Sequence, residues 1–188
     1  MSCTAVGLKN ERESMQIKMK EEKVVLVNEA NEFLGTMNKM EAHQKGVLHR
    51  AISILIYNSH GEMLIQQRAK TKYHWPMIWS NAVCSHPREN ESFQEAADRR
   101  LMEELNINCS LSELYRFVYQ ATDETTGLIE HEYDVVFQGI YDAEIPFNLD
   151  EVNAIQWIKP QQLIQEVTNN PEKFSFWFKE ILKKIEIS

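Results

Sequence analysis

Two glutamates stand two residues apart in Glu130-His-Glu132, directly before an apolar run that reaches Phe137. Because side chains alternate along a strand, Glu130 and Glu132 would share one face, within reach of a single ion. Adjacent carboxylates repel one another unless a cation or a proton lies between them. The pair therefore indicates a metal site or, as the plainer alternative, an exposed strand edge. His131 would face the other way, which favours a structural role.

Histidines supply a second set of possible metal ligands. His43 and His49 flank a short basic segment, and His86 follows Cys84 by two residues. Imidazole with carboxylate suits zinc, manganese or iron, whereas carboxylate, carbonyl and phosphate oxygens suit magnesium. Each histidine alone is typical of a surface or hydrogen-bonded residue. Three of them with two same-face carboxylates favour a metal centre, provided that the fold brings them together.

A further glutamate lies within the apolar face of a predicted helix. At roughly 100° per residue, one stripe of that helix contains Phe93, Ala97, Leu101 and Leu105. Glu104 projects into this stripe and is therefore directed towards the core. A buried carboxylate without a partner is costly, so Glu104 needs a cation. Both Arg100, one turn earlier, and a metal ion are open as that cation.

These side chains need strands and helices to position them. Apolar and β-branched runs predict strands at Lys23–Val27, His49–Tyr57, Met63–Arg68, Trp79–Cys84, Leu114–Thr122, Glu130–Tyr141 and Ala154–Ile158. Helices are predicted after the capping box Ser92-Phe-Gln-Glu95 to about Leu105, from Pro160 to about Val167, and from Phe174 to Ile187. Asn106 suits the end of the first helix, because asparagine tolerates the left-handed conformation.

Composition indicates one globular domain. The 188 residues are 43% hydrophobic, which is ample for a core. Residues 1–22 are polar and without apolar periodicity, so we expect a mobile tail followed by a domain over residues 23–188. No apolar run approaches the ~20 residues that span a bilayer, and the start lacks a signal sequence, so we expect a soluble, cytoplasmic protein. The odd number of cysteines, Cys3, Cys84 and Cys109, favours thiols over disulfides.

The net charge of −8 argues against nucleic acid as a partner, because binding to a phosphate backbone needs a basic face. A small anionic substrate would need only local cations. The segment Arg68-Ala-Lys70-Thr-Lys72 could supply them, and a solvated basic loop is the alternative.

Several short motifs together resemble one enzyme family. Trp79-Ser-Asn-Ala-Val-Cys-Ser-His-Pro87, followed by Ala96-Ala-Asp-Arg-Arg-Leu-Met-Glu-Glu-Leu105, strongly resembles the type I isopentenyl diphosphate isomerases. Between about Val24 and Trp177, further motifs follow in the family's order: His43 and His49 before Arg50-Ala51, Gln67-Arg-Ala69, Tyr119-Gln-Ala-Thr-Asp123, Glu130-His-Glu132 and Phe174-Ser-Phe-Trp177. The resemblance implies a Nudix-like fold of the α/β (α+β) class, with a mixed β-sheet packed between helices.

The central helix also resembles a degenerate Nudix box. Glu91, Arg99, Glu103 and Glu104 match the box, whereas Ser85, Arg100 and Asn106 stand where it usually has Gly, Glu and Gly. An arginine at position 100 removes a carboxylate that Nudix hydrolases use for magnesium. Hydrolysis of a nucleoside diphosphate derivative is therefore the less favoured activity. A non-catalytic binding module is the other alternative, and the presence of both Cys84 and Glu132 disfavours it.

The resemblance also implies two metal sites. One divalent ion, zinc, manganese or magnesium, would be bound by His43, His49, His86, Glu130 and Glu132. A magnesium ion that also binds the substrate diphosphate would be held by Glu104 and the main-chain carbonyl of Cys84. Lys39, Arg68 and Lys72 match the family's diphosphate-binding cations. The expected partner is thus a small diphosphate, with no membrane or nucleic acid, for a monomer or weak homodimer.

The activity implied is interconversion of isopentenyl and dimethylallyl diphosphate in isoprenoid biosynthesis, by protonation and deprotonation through a carbocation-like intermediate. Cys84 and Glu132 match the cysteine and glutamate that divide the proton transfers from opposite sides of the substrate. Tyr119 matches the tyrosine beside that glutamate, and Trp177 the tryptophan whose π face stabilises the cation. Burial in an ordinary core is the plainer alternative for Cys84, Tyr119 and Trp177.

Overall fold

The computed structural model describes residues 22–72 and 74–185. Within them the chain forms a nine-stranded sheet and four α-helices. The strands are β1 (Lys23–Val27), β2 (Phe33–Asn38), β3 (His49–Tyr57), β4 (Met63–Arg68), β5 (Trp79–Asn81), β6 (Val83–Ser85), β7 (Leu111–Thr122), β8 (Ile129–Ile140) and β9 (Val152–Ile158). The helices are α1 (Lys39–Lys45), α2 (Phe93–Leu105), α3 (Pro160–Asn169) and α4 (Phe176–Lys184), with a short 3-10 helix at Pro171–Lys173. The tail expected over residues 1–22 lies outside the described residues, apart from Glu22.

Strand β3 lies in the middle of the sheet. It runs parallel to β8, from His49 opposite Glu132 to Tyr57 opposite Ile140, and antiparallel to β6. Strand β8 is antiparallel to β7, β4 is antiparallel to β5 and β9, and β1 is antiparallel to β2. The sheet is therefore mixed. The apolar run of β3 follows from this position, because a strand covered on both faces needs apolar side chains on both.

Helices cover both faces of this sheet. On one face Ile52, Ile54 and Ile56 of β3 pack in a cluster with Ala96, Ala97, Leu101 and Leu105 of α2. On the other face Leu55 packs in a cluster with Leu163 of α3 and with Trp177, Phe178, Ile181 and Leu182 of α4. One strand contributes to both clusters because its side chains alternate. The expected mixed sheet packed between helices is thus confirmed.

The N-terminus of α2 has the predicted capping box. The Ser92 hydroxyl accepts a hydrogen bond from the Glu95 backbone, and the Glu95 carboxylate accepts one from the Ser92 backbone. At the other end, Asn106 adopts the left-handed conformation with φ 53°. Glu104 is 2% exposed, as the apolar stripe predicted.

Strand β2 and helix α1 were not predicted. Strand β2 is largely exposed or half-buried, so it lacks the apolar alternation that identifies a strand. Helix α1 has only seven residues, too few to show a helical period. It ends at Gly46, where φ is 62° and a Cβ would lie 3.0 Å from the Ile129 side chain.

Several predicted elements have different bounds: β7 begins at Leu111 rather than Leu114, and β9 begins at Val152 rather than Ala154. The single strand predicted over Trp79–Cys84 is wrong, because Ala82 separates β5, which pairs with β4, from β6, which pairs with β3. The last helix begins at Phe176 rather than Phe174, since Ser175 is extended as its N-cap. It ends at Lys184, short of the expected Ile187, because Ile185 is extended.

Within the described residues, no helix combines the length and the apolar character that crossing a membrane requires. Of the cysteines described, Cys84 and Cys109 are both free thiols.

Candidate active site

Five potential metal ligands converge at one end of β3 and β8. Glu130 and Glu132 start β8, His49 starts β3, His43 lies on α1, and His86 follows β6. One ligand atom from each lies within 4.8 Å of all the others. The parallel pairing of β3 with β8 sets His49 opposite Glu132. The structure therefore brings together the set expected from the sequence.

Two of these histidines are held in one tautomer. Nδ1 of His43 donates to the Lys39 carbonyl at 2.6 Å, and Nδ1 of His49 donates to the Val47 carbonyl at 2.7 Å. A carbonyl can only accept, so Nδ1 carries the proton and Nε2 of the neutral ring presents a lone pair. Nε2 of His49 is buried and has no hydrogen-bond partner among the described residues. Such a nitrogen is suited to a metal ion.

The close contact between His43 and Glu130 requires a proton or a metal ion between the two groups. Nε2 of His43 lies 3.0 Å from Oε2 of Glu130. Burial alone would lower the pKa of His43, but the Glu130 carboxylate outweighs it, and the pKa is raised. Burial would likewise raise the pKa of Glu130, whereas His43 and His74 hold it well below its usual range. Either a proton or a metal ion can thus lie between the two groups. The donor set fits a divalent metal.

Glu132 accepts hydrogen bonds from two sides. The Tyr119 hydroxyl donates to its Oε2 at 2.5 Å, and Nε2 of His86 lies 2.8 Å from its Oε1. Burial and Glu130 both raise the pKa of Glu132, but the neighbouring histidines, His49 at 3.7 Å and the hydrogen-bonded His86, leave it lowered overall. Burial lowers the pKa of His86 to about 4. Because its own pKa is lowered, the Glu132 carboxylate is ionised at neutral pH.

The Cys84 thiol lies in a polar niche at the edge of the aromatic cluster that contains Tyr119 and Trp177. Its sulfur accepts a hydrogen bond from Trp177 Nε1 at 2.8 Å, and its S–H donates to Asn81 Oδ1 at 2.8 Å. Burial raises the pKa of Cys84 to about 12. At neutral pH this group is a thiol that carries its proton.

Two ionisable groups of this site, Asp134 and His74, were not identified from the sequence. Asp134 follows Glu132 on the same face of β8, where Ser53 Oγ donates to its Oδ2 at 2.7 Å. Burial, and then Glu132, raise the pKa of Asp134 well above its usual value, so it is neutral. The strand alternation that grouped Glu130 with Glu132 extends to Asp134 and could have identified it. His74 gave no such signal, because it stands alone in a loop.

The expected diphosphate-binding lysines are paired with acids. Lys39 contacts Glu22 at 3.1 Å, and Lys72 contacts Glu151. Burial lowers the pKa of Lys72, although the neighbouring carboxylates of Glu104 and Glu151 oppose this shift. A cluster of neighbouring charges therefore lies next to the end of α2.

Glu104 has the arginine partner that the sequence allowed. Arg100 Nη2 donates to Glu104 Oε1 at 2.5 Å, and Gln66 Nε2 donates to Oε2 at 3.1 Å. The ion-pair alternative for Glu104 is therefore present. It accounts for the burial of this carboxylate even before any magnesium ion is considered.

Arg68 does not lie in a solvated loop. It is 8% exposed, and its guanidinium donates to the carbonyls of Trp75 at 3.0 Å and His74 at 3.2 Å. Its central carbon lies 5.4 Å from the centroid of the Trp177 ring. Trp177 therefore already contacts a cation through its π system.

An open cleft of 830 Å³ adjoins the site. It is lined by Trp75, Met77, Trp79, Asp123, Thr126 and Glu172, among others. The Trp75 ring lies edge-on to Trp177, with centroids 5.4 Å apart. Trp75 lines the cleft and contacts Trp177, which in turn contacts the Cys84 sulfur.

The chain is similar to known proteins in its domain family and in its sequence. Residues 47–178 match the NUDIX domain. Isopentenyl-diphosphate Delta-isomerase 2 of Aromatoleum aromaticum is 44% identical over 165 residues, covering 88% of this chain and 87% of that protein. The Isopentenyl-diphosphate Delta-isomerase of Aliivibrio fischeri is 44% identical over 172 residues, covering 87% and 94%.

Solved structures resemble the fold. DR0079 from Deinococcus radiodurans has a TM-score of 0.73 at 22% identity, covering 87% of this chain and 98% of that one. The MutT protein from Methanosarcina mazei has a TM-score of 0.61 at 17% identity, covering 73% and 91%. At these identities the likeness concerns the fold alone, and it agrees with the NUDIX match.

Proposed function

Since the chain belongs to the isopentenyl-diphosphate Delta-isomerase family and contains a NUDIX domain, we infer that it interconverts isopentenyl and dimethylallyl diphosphate. The observation that carries this function is 44% identity over 88% of the chain to a relative of that name. The site supports it, because a protonated, partly buried thiol and an ionised, buried carboxylate lie beside one aromatic cluster.

We propose that Cys84 and Glu132 divide the two proton transfers. Moving the double bond adds a proton to the terminal carbon of the alkene and removes one from C2. At rest the Cys84 thiol holds a proton and the Glu132 carboxylate can accept one. The thiol is therefore the donor and the carboxylate the acceptor, and a later return of the proton from carboxyl to thiolate restores both groups.

Tyr119 and Trp177 would position and stabilise these groups. Tyr119 holds Glu132 through a 2.5 Å hydrogen bond, and Trp177 Nε1 donates to the Cys84 sulfur, where it would stabilise a thiolate. The carbocation-like intermediate would lie against the Trp177 ring, a contact of about 2 kcal/mol when desolvated. The neighbouring ring of Trp75 helps to exclude water from this place.

We propose that a zinc, manganese or magnesium ion is held by His43, His49, His86, Glu130 and Glu132. When bound, it would supply the positive charge that two buried carboxylates require. A magnesium ion bound to the diphosphate would be held by Glu104 and the Cys84 carbonyl. Lys39 and Lys72 would exchange their present carboxylate partners, Glu22 and Glu151, for the diphosphate, with Arg68 nearby.

The test is incubation of the purified protein with isopentenyl diphosphate in deuterated water, followed by NMR of dimethylallyl diphosphate and its deuterium. The expected result is isomerised, labelled product without release of phosphate, which would instead indicate a hydrolase. General acid or base catalysis contributes roughly 10²–10⁴-fold. Cys84→Ala and Glu132→Gln should each lower kcat by about that factor.

Matched controls are available in the same chain. Cys109→Ala removes the other described free thiol, which lies outside the site, and Glu124→Gln alters an exposed carboxylate. Both controls should isomerise at the rate of the unaltered protein. A near-normal rate in Cys84→Ala or Glu132→Gln would remove the role assigned to that residue, and absence of isomerised product from the unaltered protein would overturn the proposal.

A further inference from the structure

A fourth histidine, His74, contacts Glu130 of the five-ligand cluster. It stands on the connection between β4 and β5 and is 6% exposed. Its Nε2 lies 2.7 Å from Oε1 of Glu130. Because the ionised carboxylate can only accept, Nε2 must carry the proton and donate it. His74 therefore binds Glu130 as a hydrogen-bond donor.

The two oxygens of Glu130 thus have different partners. Oε1 accepts from His74, whereas Oε2 faces Nε2 of His43 at 3.0 Å. The group of donors whose ligand atoms all lie within 4.8 Å of one another contains Glu130 and His43 but does not contain His74. The hydrogen bond therefore leaves Oε2 as the oxygen that faces the cluster, with His74 outside it.

The backbone of His74 is itself held in place. Arg68 donates to the carbonyl of His74 at 3.2 Å and to that of Trp75 at 3.0 Å. The His74 ring also lies against Trp75, with centroids 5.3 Å apart. A side chain fixed in this way can hold its partner in one orientation. Hydrogen bonds of this kind to a ligating group typically change metal affinity by about 10–100-fold.

We propose that His74 is a positioning residue for the metal centre, which orients Glu130 so that a single oxygen, Oε2, faces the ion. The inference rests on the proposed metal site but not on isomerisation, because it concerns metal affinity alone. It assigns His74 to the support of a ligand, in contrast to the direct ligands His43, His49 and His86.

The experiment compares two substitutions of His74. Phenylalanine keeps a planar ring but has no donor, whereas the side-chain amide of glutamine can still donate to Glu130. Each purified variant is freed of metal and titrated with Zn²⁺ and with Mn²⁺ against a competing chelator. His74→Phe should bind each ion about 10–100-fold more weakly than the unaltered protein, and His74→Gln should recover most of the loss. His60→Phe, at an exposed turn, is the matched control and should leave affinity unchanged.

Cobalt supplies the second measurement. If His74 acts only through Glu130, the visible spectrum of the Co²⁺-loaded His74→Gln variant should keep the shape and intensity of the unaltered protein's spectrum. A changed coordination spectrum would make His74 a ligand and overturn the positioning role. Unchanged affinity in His74→Phe would overturn the proposal, as would equal losses in both variants. If phenylalanine prevents folding, wild-type affinity in His74→Asn, whose shorter amide cannot reach Glu130, would overturn it instead.

The outcome separates this inference from the function on which it rests. If the unaltered protein binds neither ion, the metal site itself fails and the inference fails with it. If the unaltered protein binds metal and the His74 variants bind equally well, only the positioning role fails. The experiment measures metal binding and not isomerisation, so the conclusion about His74 does not depend on whether the protein isomerises its substrate.

Discussion

Removal of Arg100 should reveal how strongly the buried Glu104 depends on a cation. The Glu104 side chain is 3% exposed, and Arg100 Nη2 contacts it at 2.5 Å. In Arg100→Met the arginine stem is largely kept, but the carboxylate keeps only the neutral amide of Gln66, 3.1 Å away, as a hydrogen-bond partner, with Lys72 as a neighbouring cation. Breaking a buried ion pair in this way costs about 3–5 kcal/mol, out of a total stability of about 5–15 kcal/mol.

The measurement is urea unfolding of metal-free protein followed by circular dichroism. With a slope of about 2 kcal/mol per molar urea, the midpoint should fall by roughly 1.5–2.5 M. Arg116→Met is the control, because Arg116 and Glu113 form an exposed pair whose loss should cost less than about 1 kcal/mol. A loss below about 1 kcal/mol in Arg100→Met would refute the reasoning that Glu104 needs a buried cationic partner.

Adding magnesium to the same unfolding experiment tests the second proposed metal site. If Glu104 binds magnesium, the ion should stabilise Arg100→Met by replacing the lost positive charge. At a hundredfold excess over its Kd the gain should be about 2.7 kcal/mol. The double variant Arg100→Met with Glu104→Gln should gain nothing, since the carboxylate is gone. Equal gains in both variants would place magnesium elsewhere.

Three further predictions concern the other ionisable groups. Because burial raises the pKa of Cys84 to about 12, its alkylation by iodoacetamide, followed by mass spectrometry, should accelerate about tenfold per pH unit from pH 7 to 10. A plateau in that range would contradict the raised pKa. Tyr119→Phe removes a hydrogen bond to the buried Glu132 carboxylate and should lower the free energy of unfolding by about 1.5–3 kcal/mol in urea; a loss under about 0.5 kcal/mol would count against this bond. In metal-free protein the raised pKa of His43 adds stability below its ordinary value of 6.5, and this stability should be lost as pH rises through the folded value. Thermal unfolding from pH 5 to 9 should show that loss, and bound metal should abolish it; a metal-free midpoint independent of pH would exclude the contribution.

Local features of the fold were predictable because their causes lie a few residues apart. The capping box of Ser92 with Glu95 and the left-handed Asn106 depend on backbone groups within one turn. The long apolar run of β3 predicted a strand, and the structure shows that this strand is buried on both faces. Strand β2 lacked such a signal because most of its side chains are exposed or half-buried, so its structure depends on pairing with β1.

The candidate ligands could also be named from the sequence, through alternation in Glu130-His-Glu132 and through the motif around Cys84. Their convergence could not be deduced in this way. It depends on the parallel pairing of His49 with Glu132, which lie 83 positions apart, and on a seven-residue helix that supplies His43.

The sequence by itself determined the residue types, the motif order and the elements with strong periodicity, because these follow from short-range geometry. Only the tertiary structure decided which charges meet. Arg100 contacts Glu104, Glu151 contacts Lys72, and a loop histidine, His74, contacts Glu130. Electrostatic pairing acts over a few ångströms in space, between residues that chain packing brings together from distant positions, so no local pattern records it.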